Sequence, residues 1–331
     1  IPLYPLQFPS EDWSACYETL DDSIEVILDE GVLGLEEFLK NRKGFFQYII
    51  ISRIHNMEIF EDVIKRDEQF LDNVKIIYDA EALTASREIL RASLLGQGIG
   101  DNEQALMIKN ELDKCNIADS VVSVSEQEAE VYSNHGIGSV HVLGHMMAAN
   151  PGKNSFIDRD GLLFVGALRD EGSPNVDSLL WFCINVLPLI ERNVPKIKVY
   201  VVGELGAPSL FTIKKDNISF LGKIKDLNEI YNQCKVFIAP TRFAAGIPHK
   251  VHEAAANGIP CVTTELLAKQ LNWTEGEELL IGDTPDEFAA QCLRLYGDQK
   301  LWKNIRKQGL SAINNDCSQT NFQKQLKSIF N

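Results

Sequence analysis

The chain has 331 residues, 45% of them hydrophobic and 24% charged, with a formal net charge of −15. This length exceeds what one hydrophobic core usually serves and suits two α/β domains. The acidity excludes a nucleic-acid surface or a general affinity for anionic lipid, so any anionic ligand must be met by a few local cations and backbone N–H groups.

No apolar run has the length of a membrane span, and the first residues do not read as a signal peptide. The opening IPLYPLQFP lacks a Met, and its IPLYP reads as the tail of a strand whose start is missing, so the chain is expected to be part of a longer polypeptide. Short apolar runs then alternate with helical patterns, the rhythm of a parallel sheet wrapped by helices. In the first half, strands are expected at Ile24–Leu28, Phe46–Ser52, Val74–Tyr78, Ser120–Val124 and Ser139–Leu143, and the longest helix over about Thr84–Leu95. Ser125 precedes Glu128 by three residues, the spacing of a capping box.

Periodicity lapses around His145–Arg159, which reads as an interdomain linker. It resumes with strands at Leu162–Val165, Lys196–Val202, Ile218–Leu221, Val236–Ala239 and Cys261–Thr263. One helix is expected from about Asn175 to Ile190, with Val176, Leu179, Leu180, Cys183, Val186, Leu187 and Ile190 on its apolar face. The expected organisation is a first α/β domain over residues 1–150, a second over 151–313 and a C-terminal helix in 314–331. The seven cysteines are scattered without a CxxC pair, which disfavours zinc and a disulfide framework and fits a reducing cytoplasm.

The most informative segment is APTRFAAGIPHKVHEAAANGIPCVTT, residues 239–264. A loop of small residues around Gly246 enters a helix that Pro248 can open, and such a helix head is an anion site. Lys250 lies in the first turn, where a cation opposes the helix dipole and a ligand phosphate would relieve the conflict. Glu253 follows three residues later and is placed to accept hydrogen bonds from a ribose diol. The same spacing also fits an ordinary surface Lys–Glu pair. His249 and His252 flank Lys250 without the spacing of a zinc site.

This segment resembles the donor-site motif of glycosyltransferases with the two-domain GT-B fold, the group 1 family. FLGKIKDLNEIYNQCKVFIAPTRF (residues 220–243) and RDGLLFVGALRDEGSPNVDSLLWF (159–182) are similar to the same domain, and the likeness spans 159–313. Over residues 1–150 it rests on IPLYP, IIISR, IIYDAEAL and SVVSVSEQEAEVY. The resemblance implies two Rossmann-like domains facing across a cleft, a nucleoside-diphosphate sugar as donor and a hydroxyl acceptor, in glycan or polysaccharide biosynthesis. It implies no metal and no cofactor.

By family position Glu253 is the second Glu of a Glu-x7-Glu motif, the one at the ribose. Ala245 stands where the first would be, which leaves the sugar and the choice of retention or inversion open. Arg169, Gly246, His249 and Lys250 are implied at the diphosphate and Lys223 at the nucleobase. In the first domain Arg53, Asp79 and Glu81 sit at strand ends facing the cleft. Asp79 is a candidate general base for the acceptor hydroxyl; it could instead cap the next helix or pair with Arg53. Asp158-Arg159-Asp160 spells DxD but precedes a strand, where a solvated linker is the simpler reading. Two other functions fit the same fold: a sugar-nucleotide epimerase, and a catalytically silent sugar-nucleotide-binding module of a larger protein. An extracellular solute-binding protein is disfavoured by the cysteines.

Overall fold

The computed structural model describes residues 20–27, 31–66, 71 and 73–330. The first two segments read as strands, IPLYP and the start of Ile24–Leu28, fare differently. Residues 1–19 and Leu28 lie outside the described residues, while Ile24–Ile27 form no strand. Asp21 explains the latter: its carboxylate accepts from Ser23 N and Oγ at 2.9 and 2.6 Å, closing a turn where a ladder would have to start.

The first described helix is α1 (Gly31–Asn41), followed by β1 (Tyr48–Ser52), α2 (Ile54–Ile64), β2 (Lys75–Asp79), α3 (Thr84–Leu94), α4 (Asp101–Asp113), β3 (Ser120–Ser123), α5 (Glu126–Asn134) and β4 (Val140–Val142). The four strands pair in parallel in the order β1-β2-β3-β4. Among the described helices here, α4 and not α3 is the longest. Its polar residues surround the axis, and only Glu111 and Leu112 are buried, so no apolar stripe announces it.

Leu143–Ser155 then runs without regular structure, bound to the second half through Met147 N to Cys317 O and Asn150 N to Ala256 O, both 2.8 Å. The chain continues through β5 (Leu162–Val165), α6 (Pro174–Trp181), α7 (Leu187–Asn193), β6 (Val199–Val202), β7 (Ile218–Gly222), α8 (Asn228–Gln233), β8 (Val236–Ala239), α9 (His249–Ala256), β9 (Cys261–Thr263), α10 (Glu265–Leu271), β10 (Leu280–Ile281), α11 (Pro285–Gly297), α12 (Gln299–Asp316) and α13 (Gln319–Ile329). The expected single helix from Asn175 to Ile190 is broken into α6 and α7 by a π-turn at Phe182–Val186. Pro188, in the first turn of α7, has no N–H to continue the regular ladder.

The second sheet is parallel in the order β10-β9-β8-β5-β6-β7. The chain therefore winds outward from β5 to β7, then returns to the other side of β5 with β8. Where the winding reverses, the carboxyl ends of β5 and β8 leave a crevice, the place where such sheets bind ligands. The central strands β5, β8 and β9 read LLFV, VFIA and CVT and are buried almost throughout, so both sheet faces are covered by helices.

Helix α12 runs to Asp316, past the expected division at residue 313. Ser318 caps α13, which returns to the first half: Ile329 packs with Ile77 and Val122, and Tyr48 Oη donates to Phe330 O.

Candidate donor-binding cleft

Loops at the carboxyl ends of the two sheets meet directly. Gly246, beyond β8, has φ 75°, and a Cβ there would lie 2.6 Å from Glu81 O, beyond β2. Glycine is thus required both by its backbone and by the approach of the first domain. Gly246 N donates to Glu128 Oε1 at 2.7 Å, and Leu83 N donates to Glu128 Oε2 at 3.2 Å. The expected capping box is only half made, since Ser125 Oγ accepts from Glu128 N while the Glu128 side chain turns to the seam between the sheets.

Pro248 proves to be the N-cap of α9 and not its first helical residue, and it supplies no side-chain cap. Ser173, Thr284 and Asp298 do supply one at the heads of α6, α11 and α12. The head of α9 thus presents positive dipole without a built-in oxygen. Beside it, Lys250 Nζ donates to Asn175 Oδ1 at 2.8 Å and lies 5.3 Å from the Phe164 ring centroid. Among the described residues no carboxylate pairs with it. Burial alone holds its pKa down to about 8. Lys250, expected at the cleft surface, is therefore half-buried with an enclosed ammonium group. Gly166 makes room for its partner, because a Cβ there would meet the Asn175 side chain at 2.7 Å.

Glu253 sits on the exposed flank of α9, 4.0 Å from His249 Nδ1. The buried phenol of Tyr231 lies near it, and burial followed by the Glu253 charge pushes that phenol up. His252 turns the other way and is buried, packed against Trp273 and 3.7 Å from Cys317 Sγ. His145, from the linker, stacks edge-on against His249 at 4.7 Å between centroids. Burial and the neighbouring His249 hold the His145 pKa down to about 4.

Arg169 follows β5 at the crevice, but its guanidinium pairs with Glu204 and it does not join Lys250. Lys223 is exposed directly after β7. Arg242 pairs with Asp177 and lies over the Trp181 ring.

Across the cleft, the Asp79 carboxylate accepts from Ser52 Oγ at 2.8 Å, and Arg53 meets Asp79 through the backbone, its N donating to Asp79 O at 3.1 Å. Arg53 Nε donates instead to Glu81 Oε2 at 2.8 Å. Both residues of that pair have positive φ, 71° and 48°, a strained backbone of the kind that collects at functional sites. The DxD residues are engaged elsewhere: Asp158 accepts from Ser155 N and Oγ, and Asp160 pairs with Lys198 and Tyr296. Arg159 between them is not a solvated linker residue. It is buried, donating to Tyr231 O at 2.7 Å and to Cys234 O at 3.1 Å. Among the described residues no group of three metal-ligating side chains converges.

Sequence reasoning missed Asn175, His145 and the cross-domain role of Glu128. The Ser173-Pro174 helix start marks Asn175 as a second-position residue of α6 and could have signalled it; nothing local marks the other two.

Two parallel sheets joined across a cleft, with an uncapped helix head at the reversal of the second sheet, define a GT-B architecture of two Rossmann-like domains. The family described as "Glycosyl transferases group 1" matches residues 159–298. The chain is 23% identical over 223 residues to an uncharacterised 44.6 kDa protein in the cps region of Klebsiella pneumoniae, covering 64% of this chain and 55% of that protein. Among solved structures it is similar to S. aureus TarM in complex with fondaparinux, alpha-GlcNAc-glycerol and UDP. The TM-score is 0.71 at 10% identity, covering 91% of this chain and 59% of that one. It is also similar to Anabaena HepE in complex with UDP and glucose, with TM-score 0.67, 13% identity and coverage of 93% and 84%. Sucrose-phosphate synthase from Thermosynechococcus elongatus gives 0.65, 16%, 93% and 80%. This chain thus spans little more than half the length of the Klebsiella relative and of TarM.

Proposed function

We propose that this protein is a glycosyltransferase that moves a sugar from a nucleoside-diphosphate sugar to a hydroxyl acceptor in polysaccharide or glycan synthesis. One observation carries the reading: an enclosed ammonium group, Lys250, that has no carboxylate partner among the described residues and lies beside the uncapped head of α9 at the sheet reversal. A diphosphate supplies the missing anion to both the lysine and the helix dipole. Glu253, one turn on, then faces the ribose, His249 and Gly246 line the phosphates, and Lys223 borders the base beyond β7. UDP is the first nucleotide to test, because it accompanies both TarM and HepE.

Catalysis in this scheme rests on positioning and on stabilising the departing diphosphate at Lys250 and the helix head. Arg169 joins them by exchanging Glu204 for phosphate. Asp79, whose hydrogen bond to Ser52 fixes its orientation, is the base proposed for the acceptor hydroxyl. The site takes no metal or cofactor in this reading, because the DxD carboxylates are committed to Ser155, Lys198 and Tyr296. None of the described helices is long and apolar enough to cross a membrane. The six described cysteines are free and buried, which supports a reducing cytoplasm as the place of action.

The test is incubation with a panel of UDP-sugars and a hydroxyl acceptor mixture, following UDP release and sugar transfer. Release above the uncatalysed rate supports the reading. UDP binding without release from any donor favours the silent binding module, for which Ala245 at the first motif position is the specific observation.

A further inference from the structure

We infer that Glu128 is a positioning residue that sets the donor loop from the opposite domain, tying the two halves of the site with one carboxylate. The inference rests on the donor-site reading above and extends it. Glu128 lies in the first turn of α5, beyond β3 of the first sheet. One of its oxygens accepts from Gly246 N at 2.7 Å and the other from Leu83 N at 3.2 Å. Gly246 stands three residues before α9 and four before Lys250. Leu83 is the N-cap of α3 and closes the loop that carries Glu81, two residues after β2. The same carboxylate therefore holds the loop bearing the phosphate-side residues and the loop bearing Glu81.

Two further observations single this contact out from an ordinary interdomain hydrogen bond. The Gly246 backbone is already pressed against Glu81 O, so the two loops are in van der Waals contact where the carboxylate bridges them. The carboxylate is also half-buried; burial pushes its pKa up, while the N–H groups of Gly246 and Leu83 pull it back. Both oxygens meet a backbone donor only while the two loops lie side by side, so the bridge holds best in one relative placement of the loops. Pro248 has no side-chain cap to order the entrance to α9 from within its own domain, and Glu128 supplies that order from across the cleft.

The experiment compares wild type, Glu128→Ala and Glu128→Gln by titration calorimetry with UDP, and by hydrogen exchange of the ligand-free proteins over residues 244–249. Glu128→Ala should weaken UDP binding roughly tenfold or more and speed exchange at Gly246 by a similar factor, the scale of a lost charge-assisted bond. Glu128→Gln keeps one acceptor oxygen for Gly246 N–H and should lie between the two in both readouts. Melting temperatures accompany each measurement. Glu128→Ala with wild-type UDP affinity and wild-type exchange overturns the inference, and so does a loss confined to melting temperature. If wild type itself fails to bind UDP while Gly246 exchanges slowly, the donor-site reading falls, and the exchange ratio between wild type and Glu128→Ala decides whether the bridge orders the loop.

Discussion

Replacing Lys250 by Met keeps the aliphatic stem and removes the ammonium group. In the free protein that group is enclosed with no carboxylate partner among the described residues, and burial lowers its pKa from 10.5 to about 8. At about 1.36 kcal/mol per pKa unit the difference is roughly 3 kcal/mol, or about 2 kcal/mol after discounting for the surface the side chain retains. The sign follows from proton binding. The folded pKa is the lower one, so the unfolded chain holds more protons between about pH 8 and 10.5, and stability rises with pH across that window. Below about pH 8 the full cost of the charge is present. Lys250→Met should therefore raise the stability of the free protein at pH 7 by about 1–2 kcal/mol, allowing for the hydrogen bond Asn175 loses. The same change should weaken UDP binding by roughly ten- to a hundredfold and leave uridine binding unchanged, because only the diphosphate meets the lysine. Near pH 8 and above, Lys250 should take up part of a proton on binding UDP, visible as a dependence of binding heat on buffer ionisation enthalpy. A variant less stable than wild type, with UDP and uridine weakened alike, would show that Lys250 is structural and refute this reasoning.

Glu253→Gln should weaken UDP and uridine by the same factor and discriminate less against 2′-deoxyuridine than wild type does, since the ribose is common to both ligands; a loss restricted to UDP would contradict the ribose assignment. Gly246→Ala must accommodate φ 75° and a Cβ 2.6 Å from Glu81 O, and should cost roughly 1–3 kcal/mol in chemical denaturation. An unchanged midpoint would mean the loops do not meet in solution. His145, held neutral with a pKa of about 4 against an ordinary 6.5, contributes stability that is lost as pH falls between those values. His145→Phe should flatten that acid slope by about 1–2 kcal/mol, and an unaltered slope would place the titrating group elsewhere. UDP binding should survive excess EDTA, and its abolition would mean that a metal takes part.

The central strands of the second domain were legible because a doubly covered parallel strand must be apolar on both faces, whereas the two-residue edge strand β10 was not expected. LLFV, VFIA and CVT announce themselves as runs, and their bounds agree with the structure. Helix α4 was not legible, since its polarity all round leaves no period to detect. The break in the expected Asn175–Ile190 helix traces to Pro188, a residue visible in the sequence but compatible with either a kink or a fresh start. Lys250 and Glu253 could be marked as candidates because both lie on one short helix, where spacing governs direction. Their surroundings could not: Asn175 reaches Lys250 from 75 positions away, and Glu128 reaches Gly246 from 118. Contacts of that separation follow from sheet order and domain placement, which local periodicity does not encode. For the same reason the sequence did not reveal that the Arg53 guanidinium meets the Glu81 carboxylate while only its backbone N–H reaches Asp79.

A crystal structure of the protein with UDP, grown in EDTA, tests the central claim most directly. The diphosphate should lie at the head of α9, with a phosphate oxygen about 3 Å from Lys250 Nζ and the ribose hydroxyls facing Glu253. UDP bound away from the β5–β8 crevice, or a site still empty at saturating nucleotide, would contradict it.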